Sequence, residues 1–179
     1  MGETERIIRL HQDLGIPDDY QLRTTFSRQS TPPDLVSIGP DMFGREQKLR
    51  APAAKAWISM HLAAKETGID IQIVSAYRSA EYQVELIRRK LAGGETLNMI
   101  LKTLAAPGYS EHQGGCAVDI GGNESEPVTE AFDQTKAYLW LQDNASTFNF
   151  FMSYPRDNAH GMVYEPWHWC FAAEDGLVV

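Results

Sequence analysis

The chain has 179 residues, enough for one domain with a hydrophobic core. It carries 16 Lys and Arg against 24 Asp and Glu, a net charge of −8, which argues against nucleic acid and anionic membranes as partners. No stretch approaches the roughly 20 apolar residues of a transmembrane helix, and the start, MGETERIIRLHQDLG, has no apolar signal core. The chain as it stands therefore reads as cytoplasmic; a removed export signal would place it in the periplasm or cell envelope.

In chain order, Ile7, Ile8, Leu10 and Leu14 predict an amphipathic helix over residues 3–14. Residues 15–48, with Pro17, Pro32, Pro33 and Pro40, read as an irregular arm wrapped on the same single domain, 1–179. Residues 52–67 predict a helix with Pro52 in its first turn and Gly68 as its stop. IQIVSAY, 71–77, reads as a buried strand. Ser79 can cap a helix over 80–91, striped by Tyr82, Leu86, Ile87 and Leu91. A short helix over 95–105 precedes a turn at Pro107-Gly108. GCAVDI, 115–120, reads as a strand, 128–146 as a helix, and 149–154 and 162–171 as two late strands. Helices early and strands late, without βαβ alternation, predict an α+β fold with a small, largely antiparallel sheet flanked by helices.

Unusual polar residues concentrate in SAYRSAEYQ (75–83), SEHQGGCAVD (110–119) and YEPWHW (164–169), each at the edge of a predicted strand. Asp119 alternates away from Cys116, Val118 and Ile120, so it needs a partner or water. Gly114 and Gly115 let the backbone turn His112 towards it, either as a simple hydrogen-bonding pair or as part of a larger site. With His168 added, two histidines and an aspartate with an open fourth position make a reasonable catalytic zinc site. Such a metal lowers the pKa of a water, and Glu165 could take its proton. Glu165 and His168 are three apart, so a regular strand would point them to opposite faces. A bulge or a turn near Pro166 must re-aim one of them.

SEHQGGCAVD resembles the S-x-H-x-x-G-x-A-x-D signature of the VanY-like D-alanyl-D-alanine carboxypeptidases. YEPWH resembles their E-x-W-H signature, and SAYRSAEYQ their upstream S-x-x-R-S-x-x-x-Q element, all in the family's order over roughly residues 50–172. The resemblance implies a hedgehog/DD-peptidase-like fold and one zinc ion held by His112, Asp119 and His168. It implies Glu165 as catalytic base, Arg78 as the cation facing the developing oxyanion, and Gln83 and Ser110 near the substrate's C-terminal end. The implied partner is a peptidoglycan-derived stem peptide that loses a C-terminal D-alanine.

Other readings stay open. The same chemistry would serve an L,D-carboxypeptidase, a D,D-dipeptidase or a wall endopeptidase, and a zinc module could bind wall peptides without cleaving them. Two positions depart from the family pattern: Ser153 stands where an arginine is frequent before Tyr-Pro, and Asn149 where glycine is frequent. His160 is a candidate for the site mouth, whereas His11 and His61 read as ordinary helix residues. Trp167 and Trp169 read as core, and Cys116 and Cys170 as buried free thiols, with a Cys116–Cys170 bridge or a redox role as the alternatives.

Overall fold

The structure is a computed structural model that describes residues 2–172. Helix α1, Glu3–Leu14, buries Ile7, His11 and Leu14 and ends at Gly15, which takes the left-handed conformation that suits a helix C-terminus. A single turn, α2, Tyr20–Arg23, follows. The segment expected to be irregular then folds into a hairpin, β1 (Leu35–Pro40) with β2 (Glu46–Arg50), antiparallel and with a register shift between Ser37 and Gly39. Its prolines hid this pairing: Pro40 closes β1, and the Asp41 carboxylate organises the turn by accepting from Phe43 N, Arg45 N and Arg45 Nε.

Helix α3, Ala51–Glu66, carries Pro52 in its first turn and buries Ala53, Trp57, Met60 and Ala64. Strand β3, Gln72–Ser75, leads into α4, Ala80–Ala92, capped by Ser79, whose hydroxyl accepts from Tyr82 N at 3.1 Å. The one-turn α5, Leu97–Ile100, precedes β4, Ala117–Gly121, which is buried along its whole length. The helix expected over 128–146 is divided. A 3-10 helix, Glu130–Gln134, gives way to α6, Lys136–Asn144, because extended Thr135 ends the first and caps the second. A second 3-10 turn, Ala145–Phe148, leads to β5, Phe150–Met152, and then β6, His168–Phe171.

The main sheet has the order β3-β4-β6-β5 with every neighbouring pair antiparallel. This is the α+β architecture with a small antiparallel sheet that the element pattern predicts. One face of the sheet packs on α3 and α6 through Trp57, Met60, Ile120, Leu141, Phe150 and Trp169. A second cluster around Leu14, Val84, Ile87, Ile100 and Tyr109 ties α1, α4 and α5 to the chain entering the SEHQGG segment. The late strand is shorter than expected: residues 162–167 are irregular, and β6 begins only at His168.

Candidate metal centre

The two inner strands and the turn before β4 each deliver one polar group. Asp119 on β4 lies opposite Ser75 of β3 on one side and opposite His168 of β6 on the other. His112 comes from the turn before β4, where Gln113 N donates to Ser110 O and Gly115 N to His112 O. Gly115 has φ 66°, and a Cβ there would sit 3.1 Å from Arg50 N. A Cβ on Gly114 would strike the side chain of Gln29. The two glycines thus let the arm and hairpin press directly on the turn that aims His112.

The geometric difficulty between Glu165 and His168 is resolved by a β-turn. His168 N donates to Glu165 O at 3.1 Å across Pro166 and Trp167, with proline at the position its fixed φ favours. The turn brings Glu165 Oε2 to 3.7 Å from His168 Nδ1. One donor atom from each of His112, Asp119 and His168 can be chosen so that all three lie within 4.8 Å of one another, and all three residues are buried.

Hydrogen bonding fixes which histidine atoms face the cluster. His112 Nδ1 lies 2.7 Å from Ala76 O, which can only accept, so Nδ1 carries the proton. Nε2 is then a bare lone pair; it is buried with no hydrogen-bond partner, 3.3 Å from Asp119 Oδ1. Burial and the nearby Arg78 hold this ring's pKa down at about 4, so it is neutral. A neutral, oriented imidazole with an orphaned buried nitrogen is what a metal ligand requires. His168 points Nδ1 at Asp119 Oδ1, 3.2 Å away, and Nε2 at Glu111 Oε2, 2.7 Å away. Burial opposes a charge on this ring, but the hydrogen bonds and charges of Asp119 and Glu111 raise its pKa to about 10. Asp119 is held well below the usual carboxylate range: burial opposes this, and His112, His168 and Arg78 outweigh it. The donor set N, O, N, with no fourth protein ligand among the described residues, fits a tetrahedral catalytic zinc.

Arg78 Nη2 lies 3.4 Å from Asp119 Oδ2 rather than beside Glu81 or Glu85, which pair with Arg6 and Arg89. Burial lifts the Glu165 carboxyl to about 7, helped by the charges of Asp119 and Glu111 and opposed by His168 and Arg78. A cleft of about 520 Å³ opens beside the cluster, lined by Lys48, Tyr77, Arg78, Tyr82, Asp119 and Val128. The hairpin of the early arm forms one of its walls.

Five of the seven residues singled out in the sequence meet here: His112, Asp119, His168, Glu165 and Arg78. Gln83 and Ser110 hydrogen-bond to none of these five among the described residues. Gln83 Nε2 donates to Ala105 O and its Oε1 is buried without a partner, while Ser110 opens the turn carrying His112. Glu111, which the sequence reading passed over, touches His168 and also accepts from Ser153 Oγ at 2.6 Å. Its only sequence signal is a place beside His112 in the SEH run; its partner lies 57 residues away.

The remaining candidates are accounted for locally. His160 stacks on Phe26, ring centroids 4.7 Å apart, and Tyr154 lies between it and His168. His11 is buried and bonds Pro107 O at 2.7 Å; His61 contacts Ile71 O. Trp169 is in the core and Trp167 packs against it. Cys116 and Cys170 are free thiols with sulfurs 3.1 Å apart. Asn149 adopts φ 59°, a left-handed conformation asparagine tolerates better than other non-glycine residues, which explains how it replaces glycine there.

A buried His-Asp-His cluster on the two inner strands and the turn before β4, flanked by a carboxylate and by a guanidinium that lines an open cleft, places the molecule in the class of candidate mononuclear metallohydrolases. Residues 46–174 match VanY, the D-alanyl-D-alanine carboxypeptidase family, and the chain belongs to that family. YodJ of Bacillus subtilis is 37% identical over 175 residues, covering 92% of this chain and 59% of YodJ. The chain therefore spans about three fifths of the length of that relative. Among solved structures, the LD-carboxypeptidase LdcB superposes with a TM-score of 0.71 at 33% identity, over 82% of this chain and 71% of LdcB. A mutant of the D,D-pentapeptidase VanY from a VanB-type vancomycin-resistance cassette, in complex with Zn(II), gives a TM-score of 0.63 at 26% identity, over 82% of this chain and 84% of that one.

Proposed function

We propose that this chain is a zinc-dependent carboxypeptidase that removes a C-terminal D-alanine from peptidoglycan stem peptides. The observation that carries the reading is the convergence of the three buried donors His112, Asp119 and His168 beside a carboxyl, Glu165, whose pKa stands at about 7. Membership of the VanY family and the Zn(II) complex of the related VanY support both the metal and the bond class.

His112 Nε2, an Asp119 oxygen and His168 Nδ1 would hold the ion. Zinc bound there supplies Lewis acidity, making a water acidic and polarising the scissile carbonyl. Glu165 takes the proton of the attacking water and returns it to the leaving amine. Burial lifts this carboxyl to about 7 in the metal-free chain, so it is less reluctant than an exposed carboxylate to hold the proton between the two halves of the transfer. Arg78 presents a fixed cation to the oxygen that becomes negative as the tetrahedral centre forms. The wall formed by the hairpin and the N-terminal end of α4 gives the peptide a bounded groove.

A second reading, an L,D-carboxypeptidase acting on tetrapeptide stems, is favoured by the likeness to LdcB. The zinc-loaded protein incubated with defined penta- and tetrapeptide muropeptides, followed by mass spectrometry, separates the two. Loss of one D-alanine from the pentapeptide supports the first, and loss from the tetrapeptide alone supports the second. Failure to cleave either, while Glu165→Ala and native protein bind zinc equally, would favour a non-catalytic binding module.

A further inference from the structure

The Glu111 carboxylate does nothing in the mechanism above, yet it is aimed into the centre. Its Oε2 accepts from His168 Nε2 at 2.7 Å and from Ser153 Oγ at 2.6 Å. Its cationic partner is the His168 ring itself, and Glu111 is not among the residues lining the open cleft beside Arg78. His168 sits at the first position of a short strand, its backbone held by the ladder to β4 and the turn from Glu165 and its ring packed against His112 and Tyr154. A half-turn of its ring about χ2 would put the carbon Cδ2 where Nδ1 faces the metal position and lose the ligand atom. A hydrogen bond from Nε2 to a fixed acceptor removes that freedom and makes the opposite nitrogen the more basic ligand.

We propose that Glu111, held in place by Ser153, is a positioning residue that locks His168 with Nδ1 towards the metal. This rests on the zinc reading of His112, Asp119 and His168. Three segments of the chain meet in the arrangement: the SEH turn supplies Glu111, the chain after β5 supplies Ser153, and β6 supplies His168. Ser153 binds the same carboxylate oxygen as the imidazole, so it fixes the acceptor without competing for the ring.

The test measures zinc affinity by chelator competition, and the visible spectrum of the Co(II)-substituted protein, for native chain, Glu111→Ala, Glu111→Gln and Ser153→Ala. Glu111→Ala should bind zinc about 10- to 100-fold more weakly and shift the Co(II) bands. Glu111→Gln, whose amide oxygen still accepts from Nε2, should recover most of the affinity, and Ser153→Ala should fall between. In steady-state assays the Glu111→Ala loss should appear in kcat at subsaturating zinc, with KM little changed. Equal zinc affinity in Glu111→Ala and native protein, or a change confined to KM, overturns the positioning role and leaves the zinc centre standing. A native chain that binds no zinc overturns both. Should Glu111→Ala fail to fold, the Glu111→Gln and Ser153→Ala pair decides: rank order native, Gln, Ser153→Ala supports the lock, and a Ser153→Ala protein indistinguishable from native overturns it.

Discussion

Asp119 and His168 stand directly opposite each other across the β4–β6 ladder, with His168 Nδ1 3.2 Å from Asp119 Oδ1. Cross-strand neighbours have Cβ atoms about 5 Å apart, so two of the three candidate ligands are placed by strand register alone. A slip of either strand by one residue would turn its side chain to the opposite face from the other and destroy the cluster. The register is held by the apolar neighbours Val118 and Trp169, which are themselves paired across the same strands and buried in the core. The fold thus builds the candidate metal position into the packing of the sheet.

Replacing the carboxylate tests that dependence. Asp119→Asn keeps the shape but removes an anion that His112, His168 and Arg78 all face. Zinc affinity should fall by about 100-fold, as an anionic ligand is replaced by a neutral amide oxygen. The metal-free protein should also lose about 3 kcal/mol, the order expected when a buried charge loses its partner. Calorimetric zinc titration and urea unfolding of the metal-free forms read the two effects. An unchanged unfolding midpoint would show that the buried charges do not depend on Asp119.

Zinc uptake should be coupled to proton release. In the metal-free chain His168 has its pKa raised to about 10, whereas His112 lies at about 4 and Asp119 well below its usual range. At pH 8 His168 is therefore cationic, with a proton on Nδ1, while His112 is neutral and Asp119 ionised, so binding through His168 Nδ1 should expel about one proton. Zinc affinity should accordingly rise with pH across this range. Because the folded pKa is raised above 6.5, this protonated ring stabilises the metal-free fold fully below about pH 6.5, and its contribution fades as pH climbs towards 10. Isothermal titrations in buffers of different ionisation enthalpy count the protons. A count near zero at pH 8 would mean that His168 is already neutral.

Much of this was legible in the chain before folding. Long periodic segments such as 3–14, 52–67 and 80–91 became α1, α3 and α4, because one apolar stripe and a terminal Ser, Pro or Gly suffice to define a helix. The hairpin of β1 and β2 was not legible: Ile38, Pro40 and Asp41 lack clean alternation, and the turn is organised by the Asp41 side chain rather than by a familiar dipeptide. The same limit applies at the site. His112 and Asp119 declare themselves through their glycines and strand parity, but the meeting of Glu165 with His168 depends on a turn at Pro166 that alternation alone misreads. Glu111 carries no periodic signal at all, since its partners His168 and Ser153 are distant in the chain and near only in the fold.

The turn carrying His112 should be intolerant of a side chain. Gly115 combines φ 66° with a backbone nitrogen 3.1 Å from any added Cβ. Gly115→Ala therefore adds left-handed strain to a clash that no side-chain rotation relieves, and should cost about 1–3 kcal/mol. Asn149→Gly, at a comparable φ of 59° with glycine's freedom, should change stability by less than about 1 kcal/mol. Paired denaturation curves compare them; a Gly115→Ala loss no larger than that of Asn149→Gly would show that the loop can shift away from Arg50.

Glu165 should govern the acid side of the rate profile. A base works only when deprotonated, so kcat/KM should rise with pH through its pKa. Burial places that value at about 7 in the metal-free chain, and a dication beside it favours the ionised form, so the acid limb should lie at or below pH 7. Glu165→Gln should lower kcat by about 100- to 10,000-fold while zinc content stays at one equivalent. Retained activity with an unshifted acid limb in that variant would assign the base elsewhere.

Arg78 should act on turnover more than on binding. Its side chain is 12% exposed, its Nη2 reaches Asp119, and its Nε is buried without a hydrogen-bond partner. The guanidinium is therefore anchored at one end and has donors to spare, which is the condition for meeting a charge that develops only during the reaction. Arg78→Ala should reduce kcat about 100- to 1,000-fold with a smaller effect on KM. Arg78→Lys keeps the charge, but a single ammonium cannot hold Asp119 and reach a carbonyl oxygen in the same fixed geometry, so it should recover only part of the loss. Zinc content should match native protein in both variants. If Arg78→Ala raised KM and left kcat within about twofold, the guanidinium would be binding the peptide in its ground state, and the developing negative charge would have to be met by the metal alone.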